Sequence, residues 1–124
     1  MTPGNPGLPS DTCREVGDIL ARVGDKWAVF IIMRLGDGAM RFSELQKSIP
    51  TVSKKMLTTT LRGLERDGYL TRMVTPTIPP RVDYELTDTG RDVMIPINAL
   101  AAWAMSRRER IEAARRAYDA RCAA

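Results

Sequence analysis

The stretch Thr51–Leu70, TVSKKMLTTTLRGLERDGYL, constrains this chain more than any other, because it carries its own start, its own stop and two chemically opposite faces. Its spacing predicts a helix over 53–67, about four turns long. Ser53 suits the N-cap, where a hydroxyl accepts a hydrogen bond from an otherwise unpaired amide of the first turn. Gly68 follows Asp67, where a helix end often needs a left-handed residue. Leu57, Leu61 and Leu64 recur at i, i+4 and i+7 and share one face. At ~100° per residue the opposite face carries Lys55, Thr58, Thr59, Arg62 and Arg66, with Glu65 toward its edge. A DNA major groove asks for that combination: cations for phosphates and guanine edges, and threonine for its hydroxyl and methyl. An ordinary amphipathic surface helix has the same pattern, so the neighbouring segments must decide.

Upstream, Ser43–Ile49 (SELQKSI) reads as a short helix, with Ser43 and Gln46 spaced as a capping box and Leu45 and Ile49 facing inward. Pro50 ends it, and Thr51-Val52 turns into the long helix. A short helix, a tight turn and a longer helix with a basic outer face make a helix-turn-helix. Downstream, Tyr69–Val74 alternates as a strand, Thr75–Arg81 is a proline-bearing loop, and Val82–Leu86 alternates again. Two strands after a helix-turn-helix make a wing, from which Arg72 and Arg81 are placed to reach phosphates; the competing reading of each is a solvated surface arginine. The expected fold is mainly α with a small β-hairpin wing: a winged helix-turn-helix.

The flanking segments read as helices. Thr12–Val23 sets Val16, Ile19, Leu20 and Val23 on one face and breaks at Gly24-Asp25. Lys26–Leu35 (KWAVFIIMRL) is short and almost wholly apolar; strand and buried helix share that pattern, and a central helix suits its surroundings, with Trp27 as core. Ala39–Phe42 is a short extended piece. Thr87 is the expected N-cap of a last helix, and Pro96 inside that helix is expected to kink it. Its apolar stripe exceeds what one small domain needs. The N- and C-terminal helices are therefore expected to pair two copies of the chain through Ile19, Ile97, Leu100, Ala101, Trp103 and Ala104. The expected organisation is a flexible lead-in over 1–10, the winged helix-turn-helix with its dimerisation helices over 11–106, and a helical tail over 107–124.

Charge distribution points to a polyanion. The net charge is +4, but residues 41–81 hold eight Lys/Arg against three acids, while the segments before and after are near balance. With no histidine, Ser-His-Asp and Cys-His nucleophile systems and histidine zinc sites are ruled out; no P-loop or glycine fingerprint occurs. No enzyme activity and no cofactor are expected. No apolar run approaches ~18 residues, so no membrane span is expected. The Pro/Gly-rich start lacks the features of a signal peptide, and two distant cysteines make no disulfide framework, so a cytoplasmic protein is expected.

These segments resemble the HxlR-type bacterial transcriptional regulators, relatives of the MarR-type winged helices. The resemblance runs from Cys13 through Gly24-Asp25-Lys26-Trp27, Arg41-Phe42-Ser43-Glu44-Leu45, Ile49-Pro50, Ser53-Lys54-Lys55-Met56-Leu57-Thr58, Leu61, Leu64-Glu65-Arg66-Asp67-Gly68 and Pro79–Thr87 to Gly90. Two positions depart from it: Arg14 stands where proline often follows the cysteine, and Asp25 where glycine is usual. The resemblance implies a homodimer on double-stranded DNA at a pseudo-palindromic operator, tuned by oxidants, electrophiles or small metabolites. It implies Cys13 as a sensor, a small half-buried interface residue being the competing role. Ser43, Ser53, Lys54, Lys55, Thr58, Thr59, Arg62, Arg66, Arg72 and Arg81 make up the expected DNA-binding set. The competing function is a winged-helix module whose basic face meets an acidic protein; its threonine-rich centre, without Trp, Tyr or exposed Leu, favours DNA.

Overall fold

A ten-residue segment as apolar as Lys26–Leu35 has to be surrounded, and the rest of the fold forms its enclosure. In the computed structural model, residues 10–123 are described. Five helices and three short strands follow in the order α1 (Ser10–Val23), α2 (Lys26–Leu35), β1 (Met40–Arg41), α3 (Phe42–Ser48), α4 (Lys54–Arg66), β2 (Leu70–Thr75), β3 (Arg81–Leu86) and α5 (Asp88–Ala123). Except for Ser10, the expected lead-in lies outside the described residues.

Ala28, Ile31, Ile32 and Leu35 of α2 are fully buried. Around them pack Leu45 of α3, Leu57, Leu61 and Leu64 of α4, Leu70 of β2, Tyr84 and Leu86 of β3, and Ile97 of α5. Asp25 starts α2: its carboxylate accepts from the Trp27 and Ala28 amides at 3.1 and 3.2 Å. Arg34, near the other end of α2, donates to the Ser48 carbonyl at 3.2 Å and so fastens the end of α3. The turn from α3 to α4 passes through Thr51 at φ 71°, a left-handed conformation that β-branched residues rarely adopt.

Several expectations are corrected. The capping box of α3 lies two residues earlier than expected: Arg41, not Ser43, precedes the helix, and Glu44, not Gln46, reaches back to the Arg41 amide at 2.8 Å. The sheet has three strands in the order β1-β3-β2, all antiparallel. The piece expected only to be extended pairs with the wing, Met40 opposite Tyr84 and Arg41 opposite Asp83. The first helix begins at Ser10 rather than Thr12, while the last helix, α5, spans Asp88–Ala123 and holds Pro96 inside it as expected. Ile97, expected between copies, is buried in its own chain's core at 5% exposure, because that turn of α5 lies against α2 and the sheet. Beyond it α5 leaves the core: at about 1.5 Å per residue the helix is roughly 54 Å long, and its only buried residues are Gly90 and Ile97.

Candidate nucleic-acid interface

The basic helix forms as its residues require. The Ser53 hydroxyl accepts from the Met56 amide at 3.0 Å, capping α4. At the other end, the Gly68 amide donates to the Glu65 carbonyl at 3.1 Å and the Tyr69 amide to the Leu64 carbonyl at 2.9 Å. With Gly68 at φ 85°, this is a Schellman end, and only there does the helix need glycine's left-handed freedom. Leu57, Thr60, Leu61, Gly63 and Leu64 are buried, and the buried Thr60 hydroxyl is satisfied by the Met56 carbonyl at 2.8 Å.

The outer face is thereby turned to solvent. Ser53, Lys54, Lys55, Thr59, Arg62 and Arg66 are exposed and Thr58 is half-buried. Thr58 and Arg62 line a groove shared with Phe42, Leu61, Glu65, Arg72 and Tyr84, which joins α4 to the sheet. A second hollow, toward the N-terminus of α4, is lined by Phe42, Lys54, Lys55, Thr58, Thr59 and Arg62. The fold thus brings Arg62 of the helix and Arg72 of the wing into one concave surface. Ser43 is exposed in the first turn of α3.

Among the described residues, Lys54, Lys55, Arg62 and Arg72 have no ion-pair partner. Arg66 has only a loose pair with Asp67 at 3.9 Å, and its side chain is 83% exposed. Arg81 differs. Its Nε and Nη2 donate to the Asp83 carboxylate at 3.0 and 3.2 Å. That hydrogen bonding, with the nearby negative charge, raises its pKa above the ordinary arginine value. Its charge is therefore partly compensated within the wing.

Sequence reasoning missed Phe42 and Glu65 as groove residues. Phe42 reaches the groove only because β1 pairs with the wing and α3 starts immediately after it, a tertiary arrangement without a local signal. Of the expected interface residues, Ile19, Leu100, Trp103 and Ala104 are exposed and Ala101 is half-buried. Cys13 is exposed on α1, far along the chain from the basic face. Cys122 is exposed near the end of α5.

The comparisons with known proteins agree with this geometry. Residues 22–112 match the model of the HxlR-like helix-turn-helix family. The chain belongs to that family. An uncharacterized HTH-type transcriptional regulator of Methanothermobacter thermautotrophicus is 44% identical over 81 residues, 65% of this chain but only 62% of that protein's length. The HTH-type transcriptional regulator YdeP of Bacillus subtilis, also uncharacterized, is 38% identical over 116 residues, 91% of this chain and 86% of YdeP. Among solved structures, ytfH of Salmonella typhimurium has a TM-score of 0.76 at 39% identity, covering 82% of this chain and 90% of that one. The redox regulator HypR in its reduced form has a TM-score of 0.74 at 34% identity, covering 80% and 98%. As an HxlR-like chain, this protein is a winged helix-turn-helix of the transcriptional-regulator class, with α4 as the longer, second helix of the motif. No helix among the described residues is long and apolar enough to cross a membrane.

Proposed function

We propose that this HxlR-like chain binds double-stranded DNA as a homodimer at a pseudo-palindromic operator, with the two α4 helices in successive major grooves ~34 Å apart. The observation that carries the proposal is the set of unpaired cations Lys54, Lys55, Arg62 and Arg72 on one surface with Thr58 and Thr59. Cations without internal partners remain available to phosphate, and releasing the DNA's counterions drives such binding.

Thr58, Thr59 and Arg62 are assigned to base edges. Ser43, Ser53, Lys54, Lys55, Arg66, Arg72 and Arg81 are assigned to phosphates. The Ser53 oxygen is taken as the helix cap, but its hydroxyl proton remains a donor. Asp83 occupies two nitrogens of Arg81, leaving Nη1 for phosphate. Ile19, Leu100, Ala101, Trp103 and Ala104 are assigned to the surface between copies.

Titration of selected and random duplexes at several salt concentrations tests this reading. Arg62→Ala is expected to cost about 1–3 kcal/mol on the selected operator and to relax preference at one base pair per half-site. Arg81→Ala is expected to weaken all sequences alike and to flatten the salt slope by roughly one unit per lost contact. Equal loss on operator and random DNA for Arg62→Ala would put α4 in the wrong register. If neither variant alters DNA binding while fold and dimer persist, the basic face belongs to an acidic protein partner instead.

The effector end is read from Cys13. HypR is described as a redox regulator, which supports assigning Cys13 as a sensor of oxidants or electrophiles. Diamide is expected to change operator affinity in the parent and not in Cys13→Ser; an identical response in both removes Cys13 from the mechanism.

A further inference from the structure

Helix α1 has no buried residue, so its placement rests on few anchors. One of them reaches the recognition helix. Arg22, in the last turn of α1, donates from Nε to Asp67 Oδ2 at 2.9 Å. Both side chains are about one-third exposed, at 33% and 32%. Asp67 is the residue that ends α4, where the helix dipole disfavours a negative charge, and Arg22 compensates it.

The guanidinium also lies across Gly63. A Cβ at that position would collide with Nη1 and Cζ of Arg22. Glycine weakens a helix interior, and at position 63 its lack of a side chain is what admits the arginine. At ~100° per residue, Gly63 stands on one side of Arg62, while Thr58 and Glu65, which line the wing groove, stand on the other. The recognition helix is thus flanked on one side by the wing and on the other by the Arg22 side chain of α1.

We infer that Arg22, seated over Gly63 and paired with Asp67, is a positioning residue for DNA recognition. It sets the angle of α4 against α1, and so the distance between the two recognition helices of a dimer assembled through α1. The inference rests on the dimeric DNA-binding reading. It is favoured by Ile19, which lies one turn before Arg22, is 55% exposed, and lines the same groove as Arg22, Arg66, Asp67 and Tyr69. A surface that meets the second copy and the side chain that meets α4 are therefore adjacent on α1.

Two measurements test it. In the first, operators selected on the parent protein are rebuilt with the half-sites moved apart or together one base pair at a time. The parent is expected to prefer one spacing. Arg22→Ala removes the guanidinium. Gly63→Ala displaces it without removing its charge, and the fold tolerates this because the colliding atoms end a flexible side chain. Both variants are expected to lose roughly tenfold of the discrimination between spacings, about threefold per protomer for one partly exposed ion pair. Sedimentation is expected to show an unchanged dimer.

In the second, spin labels at Met56→Cys, with Cys13→Ser and Cys122→Ser, report the distance between the two α4 helices without DNA. The parent is expected to give a narrow distribution and Arg22→Ala a broad or shifted one. Equal loss of affinity at every spacing overturns the inference, since a junction that only stabilised the domain would produce it; unchanged label distances overturn it as well. A parent that selects no duplex ends the DNA reading, and the label distances then decide on the junction alone. A monomeric parent overturns both.

Discussion

Trp103→Asp is expected to leave a folded monomer at micromolar concentration and to lower operator affinity by about 10²–10⁴-fold, the factor lost when two linked binding events become one. Trp103 is half-exposed in its own chain, at 51%, and stands near Leu100 at 58% on the part of α5 that has left the core. On α1, Ile19 and Leu20 are also more than half exposed. These large apolar groups, exposed on two helices, are the ones the proposed interface would cover. In a twofold interface a substitution acts twice, and each aspartate would bury an unpaired charge at a cost of several kcal/mol. Trp103 lies outside the buried core of its own chain, so thermal unfolding monitored by helicity should move little. Sedimentation of the parent as a monomer, or of the variant as an intact dimer, would refute the assignment of α1 and α5 to the interface.

Gly90→Ala is expected to destabilise the domain by about 3 kcal/mol or more, a large share of a typical stability of 5–15 kcal/mol. Gly90 is buried in the first turn of α5, and a Cβ there would collide with the Tyr69 carbonyl oxygen while approaching Leu86 Cδ2 at 3.0 Å. The first obstacle is backbone, so no rotamer change relieves it. The same junction carries a hydrogen-bond chain. The Thr87 amide donates to the Tyr69 carbonyl at 3.1 Å, the Thr87 hydroxyl donates to the Gly68 carbonyl, and the Gly90 amide donates to the Thr87 hydroxyl oxygen at 3.1 Å. The start of α5 is thereby tied to the end of α4. Guanidinium unfolding checks the prediction through a lower midpoint at an unchanged slope. A midpoint shift below the equivalent of about 1 kcal/mol would mean that α5 does not dock closely here.

Most local structure was legible in the residues. The limits of α4 follow from Ser53 and Gly68, because a capping hydroxyl and a left-handed glycine act over a few neighbouring bonds. The span of α2 was read to the residue, Lys26–Leu35, from an apolar run between Gly24-Asp25 and Gly36. Thr87 caps α5 as its position before Asp88 required. Where two local solutions competed, the reading slipped: Ser43 with Gln46 and Arg41 with Glu44 share the same spacing, and the pairing of β1 with β3 selects the second by placing Arg41 in the sheet.

By itself the sequence determined the limits of α4, which of its faces is basic, and that the positive charge is concentrated in residues 41–81, since each is a property of spacing along one chain. Tertiary structure decided the rest, because it depends on which side chains meet across long separations. It gave Ile97 to the chain's own core instead of to an interface. It joined Arg62 and Arg72 in one groove, bound Arg81 to Asp83, and laid Arg22 across Gly63, 41 positions away in sequence. In the sequence Gly63 is only a helix-weakening residue; the arginine from another helix that occupies its missing side chain's place is visible only in the folded chain.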